Sequence, residues 1–89
     1  MALGRGERRE MRRILARRLG GRIKAWRDAR HLSQPELADL VGVSNGAVAQ
    51  WEAGDSYPRP EIIRELANAF GISPERLEYG GLPLAGEAA

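Results

Sequence analysis

Residues 33–52 have the sequence SQPELADLVGVSNGAVAQWE, and this stretch decides the fold. Ser33 suits the N-cap of a helix, and Glu36, three residues further on, can complete a capping box. Pro35 falls in the first turn, where the N–H that proline lacks would have no partner within the helix. We therefore predict that a helix begins near Gln34.

The same stretch contains a second helix, separated from the first by a short turn. The apolar residues of the first helix recur at helical spacing and are Leu37, Leu40 and Val41. Gly42 supplies the left-handed residue that ends this helix, and Ser44 can cap the next one. Val48 and Trp51 should hold the second helix against the core. The residues left on its outward face are Asn45, Gly46, Ala49, Gln50 and Ala53.

Helical patterns flank this pair on both sides, and no alternating β-branched run competes with them. Upstream, an apolar stripe is formed by Leu19, Ile23 and Trp26. This helix should end near His31, and Leu32 should pack beneath the two central helices. Downstream, the stripe of a fourth helix that starts at Pro60 consists of Ile62 or Ile63, Leu66, Ala67 and Phe70. Gly71 should end it, and a short fifth helix should run from Ser73 through Leu77.

Length and composition limit the function classes. A chain of 89 residues is one domain, and the absence of cysteine excludes disulfides and thiolate metal sites. His31 is the only histidine, so most metal and hydrolytic sites lack their usual residues. We predict no enzyme activity, no metal and no cofactor. The apolar run 14–16 is interrupted by Arg17, which argues against a signal peptide or membrane span and favours a cytoplasmic protein.

Charge is distributed unevenly along the chain, although the net charge is only +2. Residues 1–31 contain eleven Arg or Lys and three acidic residues, whereas residues 32–89 contain three and nine. A basic segment beside an acidic domain can bind a polyanion such as nucleic acid. It can equally pack on the acidic surface of its own or another subunit.

Residues 7–19 form a basic arm rich in strong helix formers, with Met11, Leu15 and Leu19 four residues apart. Gly20-Gly21 interrupts the pattern only weakly, so the arm either runs straight into the next helix or bends there. The arm is a solvated tail, a contact to the DNA backbone, a dimer contact or a membrane-surface helix.

Taken together, these residues resemble the helix-turn-helix of the phage repressor and Cro (XRE) family. With Gln34 as the first position, Ala38 is fifth and Gly42 ninth, as in the family pattern. The apolar residues of that pattern are Leu37, Val41, Val43, Val48 and Trp51. The resemblance covers residues 18–80 and includes the ending Glu52-Ala53-Gly54. It implies an all-α, compact five-helix lambda-repressor-like domain over residues 18–80. From their own composition, the residues before it are predicted to form an extra basic arm (1–17), partly helical or disordered, and those after it a flexible tail (81–89).

The resemblance also implies binding to double-stranded DNA, with the second helix of the motif in the major groove. Gln34 and the first N–H groups of its helix would contact a phosphate, and Ser44 a phosphate or a base. Asn45 and Gln50 can make bidentate pairs with adenine. Small residues complete the predicted contact surface: Gly46 allows close approach, and Ala47 and Ala49 can meet a thymine methyl.

The chain departs from the family in its charges. Residues 33–55 contain no Lys or Arg, and Asp55 stands where family members often carry a basic residue. Because affinity for DNA depends on phosphate neutralisation, we expect the charge to come from the arm and from arginines around the motif. Those arginines are Arg22, Arg27, Arg30 and Arg59. The family also implies an ion pair between Arg27 and Glu52, which would leave further Arg27 N–H groups for a phosphate.

From the resemblance we predict a transcriptional regulator, most simply a repressor, that binds a two-fold operator as a dimer. The alternative is a protein-interaction module, such as an antitoxin or accessory factor, that uses the acidic fourth and fifth helices against a protein partner. An enzyme is a distant third, because the composition provides no nucleophile–base or metal arrangement.

Overall fold

Five α-helices and one 3₁₀ turn form the secondary structure of residues 2–87, the part of the chain that the computed structural model describes. The elements are α1 (Arg5–Ala29), α2 (Gln34–Val41), α3 (Asn45–Ala53), α4 (Pro60–Phe70), α5 (Pro74–Tyr79) and the 3₁₀ turn (Ala85–Glu87). The predicted all-α, five-helix class is confirmed. Residue 1 of the predicted arm and residues 88–89 of the predicted tail lie outside the described residues.

Helix boundaries follow the local signals that predicted them. The hydroxyls of Ser33, Ser44 and Ser73 each accept the backbone N–H three residues on, at 3.1, 3.2 and 3.0 Å. Gly42 follows α2 with φ 73° and Gly71 follows α4 with φ 74°, a conformation that costs glycine little. The starts of α2, α3, α4 and α5 therefore lie where the sequence predicts them.

The core is built around Trp26 of α1, which is fully buried and stacks on Phe70 of α4 with ring centroids 6.5 Å apart. Every α-helix contributes to the cluster, whose other buried side chains are Leu19, Ile23, Leu37, Ala38, Val41, Val48, Trp51, Ile63, Leu66, Ala67 and Leu77. Leu32 packs against this cluster from the turn after α1, as predicted. The result is one continuous core that holds α2 and α3 against α1.

Leu40 shares the helical spacing of Leu37 and Val41 but does not belong to the core. Its side chain is 58% exposed, whereas Leu37, Ala38 and Val41 are buried. With about 100° between successive residues, these three span the inward arc of α2 with Val41 in the middle, and Leu40 lies about 100° from Val41. The core side of α2 therefore includes the small Ala38 instead of Leu40.

The basic arm runs straight into the first helix, so that α1 is a single helix of 25 residues. Gly20 lies at the crossing with α3, where a Cβ atom would stand 2.1 Å from the backbone oxygen of Trp51. Gly21, the next residue, faces solvent and has no neighbouring atom within 4 Å of its Cβ position. Gly20 thus permits close helix packing rather than a bend. No helix among residues 2–87 is both long and apolar enough to cross a membrane.

These two glycines provide a matched pair for a stability prediction. Gly20→Ala should lower the free energy of unfolding by about 2 to 3 kcal/mol, because the new methyl overlaps backbone that cannot retreat without separating α1 from α3. Gly21→Ala should raise it by about 0.5 to 1 kcal/mol, because alanine loses less entropy in a helix. Urea unfolding measures both. Equal effects of the two substitutions would show that the α1–α3 crossing is looser than described.

The C-terminal segment returns to the domain instead of leaving it. Arg76 donates to the carbonyl oxygens of Gly80 and Leu82 at 2.6 and 3.1 Å and pairs with the Glu87 carboxylate at 2.6 Å. Hydrogen bonding from the N–H of Leu84, and then from Arg76, lowers the pKa of Glu87. Residues 81–87, predicted as part of a flexible tail, are held to the end of α5 by these contacts.

Candidate nucleic-acid interface

The surface that the resemblance identifies centres on α3, a helix fixed from behind by two apolar side chains. Val48 is fully buried and Trp51 is 6% exposed, as predicted. Ala47 is half-buried and also packs against the core, so its methyl group is less available to a ligand than predicted. The back of α3 is therefore anchored along its length.

The opposite face of α3 is exposed and small. Ser44, Asn45, Gly46, Ala49 and Gln50 all lie at the surface. Among residues 2–87, the side-chain amides of Asn45 and Gln50 form no hydrogen bond. Apart from the backbone of α3 itself, the Ser44 hydroxyl oxygen at 3.9 Å is the one atom of residues 2–87 near a Cβ position at Gly46, so the fold does not require glycine there. The two amides, together with the Ser44 O–H, are polar groups of this face that can bind an external ligand.

An ion pair locks α3 to α1 and α2. Arg27 Nε and Nη2 donate to the two Glu52 carboxylate oxygens at 2.6 and 3.0 Å, and the Gln34 amide donates to Glu52 Oε1 at 2.9 Å. The side chains of Arg27 and Glu52 are only 12% and 5% exposed. The hydrogen bond to Glu52 raises the pKa of Arg27, so the guanidinium stays charged. The expected pair is present, and one glutamate joins three helices.

The same contacts change two predicted roles. Arg27 Nη1 donates to the backbone oxygen of Leu32 at 2.8 Å, so the guanidinium is used within the domain rather than left for a phosphate. The Gln34 side-chain amide is likewise committed to Glu52. Gln34 retains its position at the start of α2, where its backbone N–H adds to the partial positive charge of the helix N-terminus.

Arg22 and Arg30 bind helix C-termini rather than facing a ligand. Arg22 donates to the carbonyl oxygens of Leu77, at 2.7 Å, and of Glu78, and burial lowers its pKa. Arg30 donates to the Phe70 oxygen at 2.9 Å and lies 5.2 Å from the centroid of a ring of Trp26. The last carbonyls of a helix lack partners within it and carry partial negative charge, which explains both contacts. The sequence assigned these two arginines to phosphates, whereas in the structure their guanidinium groups bind carbonyl oxygens of the domain.

Arg59 and Arg17 are two further exposed basic side chains, and Arg17 lies at the end of α3. Arg59 is exposed at the residue before α4 and forms no ion pair among residues 2–87. Arg17 is exposed and packs beside Gly54 at the end of α3, where its Cγ would lie 2.7 Å from a Cβ on Gly54. The sequence analysis did not name Arg17 among the candidate residues. Its position three residues before Gly20 nevertheless places it at the crossing of α1 and α3.

Three comparisons with known proteins agree with this geometry. A family model described as helix-turn-helix matches residues 23–77. The repressor protein C2 of Salmonella phage P22 is 39% identical over 64 residues, which are 72% of this chain and 30% of that protein. The transcriptional activator BcrR of Enterococcus faecalis is 29% identical over 59 residues, 66% of this chain and 29% of that protein. This chain thus spans less than a third of the length of either relative.

The fold matches a solved structure over most of its length. The crystal structure of the P22 c2 repressor in complex with a synthetic operator has a TM-score of 0.66 and 39% sequence identity to this chain. The match covers 70% of this chain and 94% of that one.

Proposed function

Because this chain belongs to the helix-turn-helix family of the phage repressors and Cro proteins, we propose that it regulates transcription by binding a specific duplex DNA sequence. One observation carries the proposal. Asn45 and Gln50 project from α3 with exposed amides that are not hydrogen-bonded within residues 2–87, while Val48 and Trp51 fix the helix from behind.

The chemistry of this face suits the major groove, which admits an α-helix. Each amide can accept from adenine N6 and donate to adenine N7, which is worth about 1 to 3 kcal/mol of discrimination per base pair. Gly46 and Ala49 leave room for the backbone of α3 to approach the bases. Ala49, and Ala47 to a smaller extent, can contact a thymine methyl, and the exposed Ser44 hydroxyl can donate to a phosphate or a base.

The ion pair of Arg27 and Glu52 supports recognition by fixing the angle between α3 and the rest of the domain. Phosphate contacts determine orientation on the duplex, whereas base contacts determine sequence. In this proposal Gln34 contributes its backbone N–H to a phosphate while its side chain positions Glu52. Of the four predicted arginines, Arg59 is the one assigned a direct phosphate contact, together with Arg17.

We also propose that the protein acts as a repressor and as a dimer on a two-fold operator. Three exposed apolar side chains lie at the end of α5 and in the segment that follows it and are available for a second copy: Tyr79, Leu82 and Leu84, at 77, 62 and 67% exposure. Dimers of helix-turn-helix domains contact half-sites one helical turn apart, so symmetry in the DNA would match symmetry in the protein.

Selection of bound fragments from a random-sequence DNA pool tests this proposal. The expected product is an inverted repeat whose half-sites are separated by about 10 base pairs. A promoter carrying the selected site should then be repressed by the protein. Failure to enrich any sequence would contradict the proposal and favour the alternative interaction module, whose partner would be a protein.

A further inference from the structure

The N-terminal part of α1 extends beyond the domain. Ala16 is the first buried residue of the helix, and before it only Ile14 is half-buried. We refer to residues 5–15 as the overhang. The family match begins at residue 23, so the overhang is an addition to the part of the chain that the family describes. The family model therefore says nothing about the overhang, and its role is inferred from its own residues.

One face of the overhang continues the core-facing side of α1. Ala16, Leu19 and Ile23 point into the domain, and the helical period of 3.6 residues places four arginines on the same side, one to three turns earlier. These residues, which we call the basic face, are Arg5, Arg8, Arg9 and Arg12. The side of α1 that packs on the domain therefore becomes cationic where the domain ends.

The basic face forms no ion pair with the acidic side chains of residues 2–87. The overhang contains five arginines and two glutamates. Glu10 pairs with Arg13 at 3.4 Å on an adjacent face, and Glu7 accepts the backbone N–H of Gly4 at 3.0 Å. Arg8 donates to the Leu3 carbonyl at 3.0 Å, whereas no ion pair among residues 2–87 involves the other three arginines of the basic face. The charge is thus available to an external anion.

The orientation of the basic face matches that of the proposed reading surface. α1 packs against the last turn of α3, where a Cβ on Gly20 would meet the backbone oxygens of Trp51 and Glu52. The inward side of α1 and the buried side of α3 face the same core, so we take the inward side of α1 to look in the same direction as the exposed side of α3. Helices in close contact have axes about 8 to 10 Å apart. The major groove is about 8.5 Å deep, which is close to the distance between the axes of two packed helices. When α3 lies in the groove, the phosphates at its edge should therefore be about as far from the bases as α1 is.

We propose that the overhang lies along the DNA phosphate backbone beside the groove occupied by α3, with the basic face in contact with phosphates. The inference rests on the proposed function, because it takes the position of the duplex from α3. It explains how a motif without any Lys or Arg in residues 33–55 acquires phosphate-binding charge.

A second copy of the chain is a poorer occupant of this surface. The apolar side chains of the overhang, Met11 and Leu15, are each 45% exposed and lie away from the centre of the basic face. Two overhangs packed together would bring ten arginines and four glutamates into one small interface, which is electrostatically unfavourable. A polyanion neutralises the same charges.

The test compares two triple variants of the full chain. Arg5→Gln, Arg9→Gln and Arg12→Gln together remove three charges from the basic face, and glutamine preserves helix propensity. The control, with Arg13→Gln, Arg18→Gln and Lys24→Gln, removes the same number of charges from other exposed faces of α1. Affinity for the selected duplex and for a mixed-sequence duplex is measured as a function of salt concentration. Circular dichroism checks that α1 remains helical.

The basic-face variant should lower the slope of log affinity against log salt by about 2 to 3, since each lost phosphate contact removes about 0.9. The control should change it by less than about 1. Equal slopes for the two variants, on both duplexes, would overturn the inference. So would an unchanged DNA slope combined with lost binding to phosphatidylserine vesicles, which would assign the overhang to a membrane surface. If the wild type does not distinguish the two duplexes, the proposed function fails, while the slopes on mixed-sequence DNA still decide the role of the overhang.

Discussion

Replacing Glu52 with alanine is expected to lower the free energy of unfolding by about 3 to 5 kcal/mol. The substitution leaves the Arg27 guanidinium, which is 12% exposed, without its counter-ion. It also removes the acceptor of the Gln34 amide, so that α1, α2 and α3 lose their shared contact. Because domains of this size are stable by only about 5 to 15 kcal/mol, the loss would approach the limit of folding.

Chemical denaturation of the wild type and three variants measures this effect. Glu65→Ala removes an exposed glutamate from α4 and should change the free energy of unfolding by less than about 0.5 kcal/mol. Arg27→Met combined with Glu52→Leu should cost less than Glu52→Ala, because it leaves no buried charge unpaired. A loss below about 1 kcal/mol for Glu52→Ala would mean that the pair behaves as an exposed surface ion pair and does not fix α3.

Replacing both Asn45 and Gln50 with alanine is expected to abolish most of the preference for the selected DNA sequence. If each amide contributes about 1 to 3 kcal/mol, the double variant should lose between about thirtyfold and twenty-five-thousandfold in specificity. Affinity for mixed-sequence duplex should change little, because that term comes from phosphate contacts. Both side chains are exposed, so stability should be retained.

Competition binding between selected and mixed-sequence duplexes provides the measurement. Asn68→Ala is the matched control, since it removes an exposed asparagine from α4, outside the proposed interface. It should leave the specificity ratio unchanged. If the double variant keeps the wild-type specificity ratio and Asn68→Ala reduces it, the assignment of base contacts to α3 is refuted.

The helix boundaries and the orientation of α3 were predictable because their signals are local. A capping serine accepts the backbone N–H three residues later, and a glycine that ends a helix comes just after the last helical residue. Both signals can be recognised without knowing the rest of the fold. The positions of Val48 and Trp51 follow from the helical period alone, given the cap at Ser44. The exposure of Asn45 and Gln50 follows from the same period.

Long-range packing accounts for what the sequence did not predict. Arg22 and Arg30 bind carbonyl oxygens 40 or more residues away, and no nearby residue signals those partners. The core side of α2 includes Ala38 and leaves out Leu40, which the spacing of the apolar residues alone does not reveal. The sequence left open whether α1 bends at Gly20, because it does not place the backbone of Trp51 beside that glycine.

The exposed face of α3 is proposed as the surface that contacts DNA bases. An NMR titration of the full chain with the selected duplex examines this surface residue by residue, because every backbone amide reports separately. We expect the largest chemical-shift changes on residues 44–50, with smaller ones at the start of α2 and along residues 5–15. Changes concentrated in α4, α5 or residues 81–87, with α3 unaffected, would contradict it.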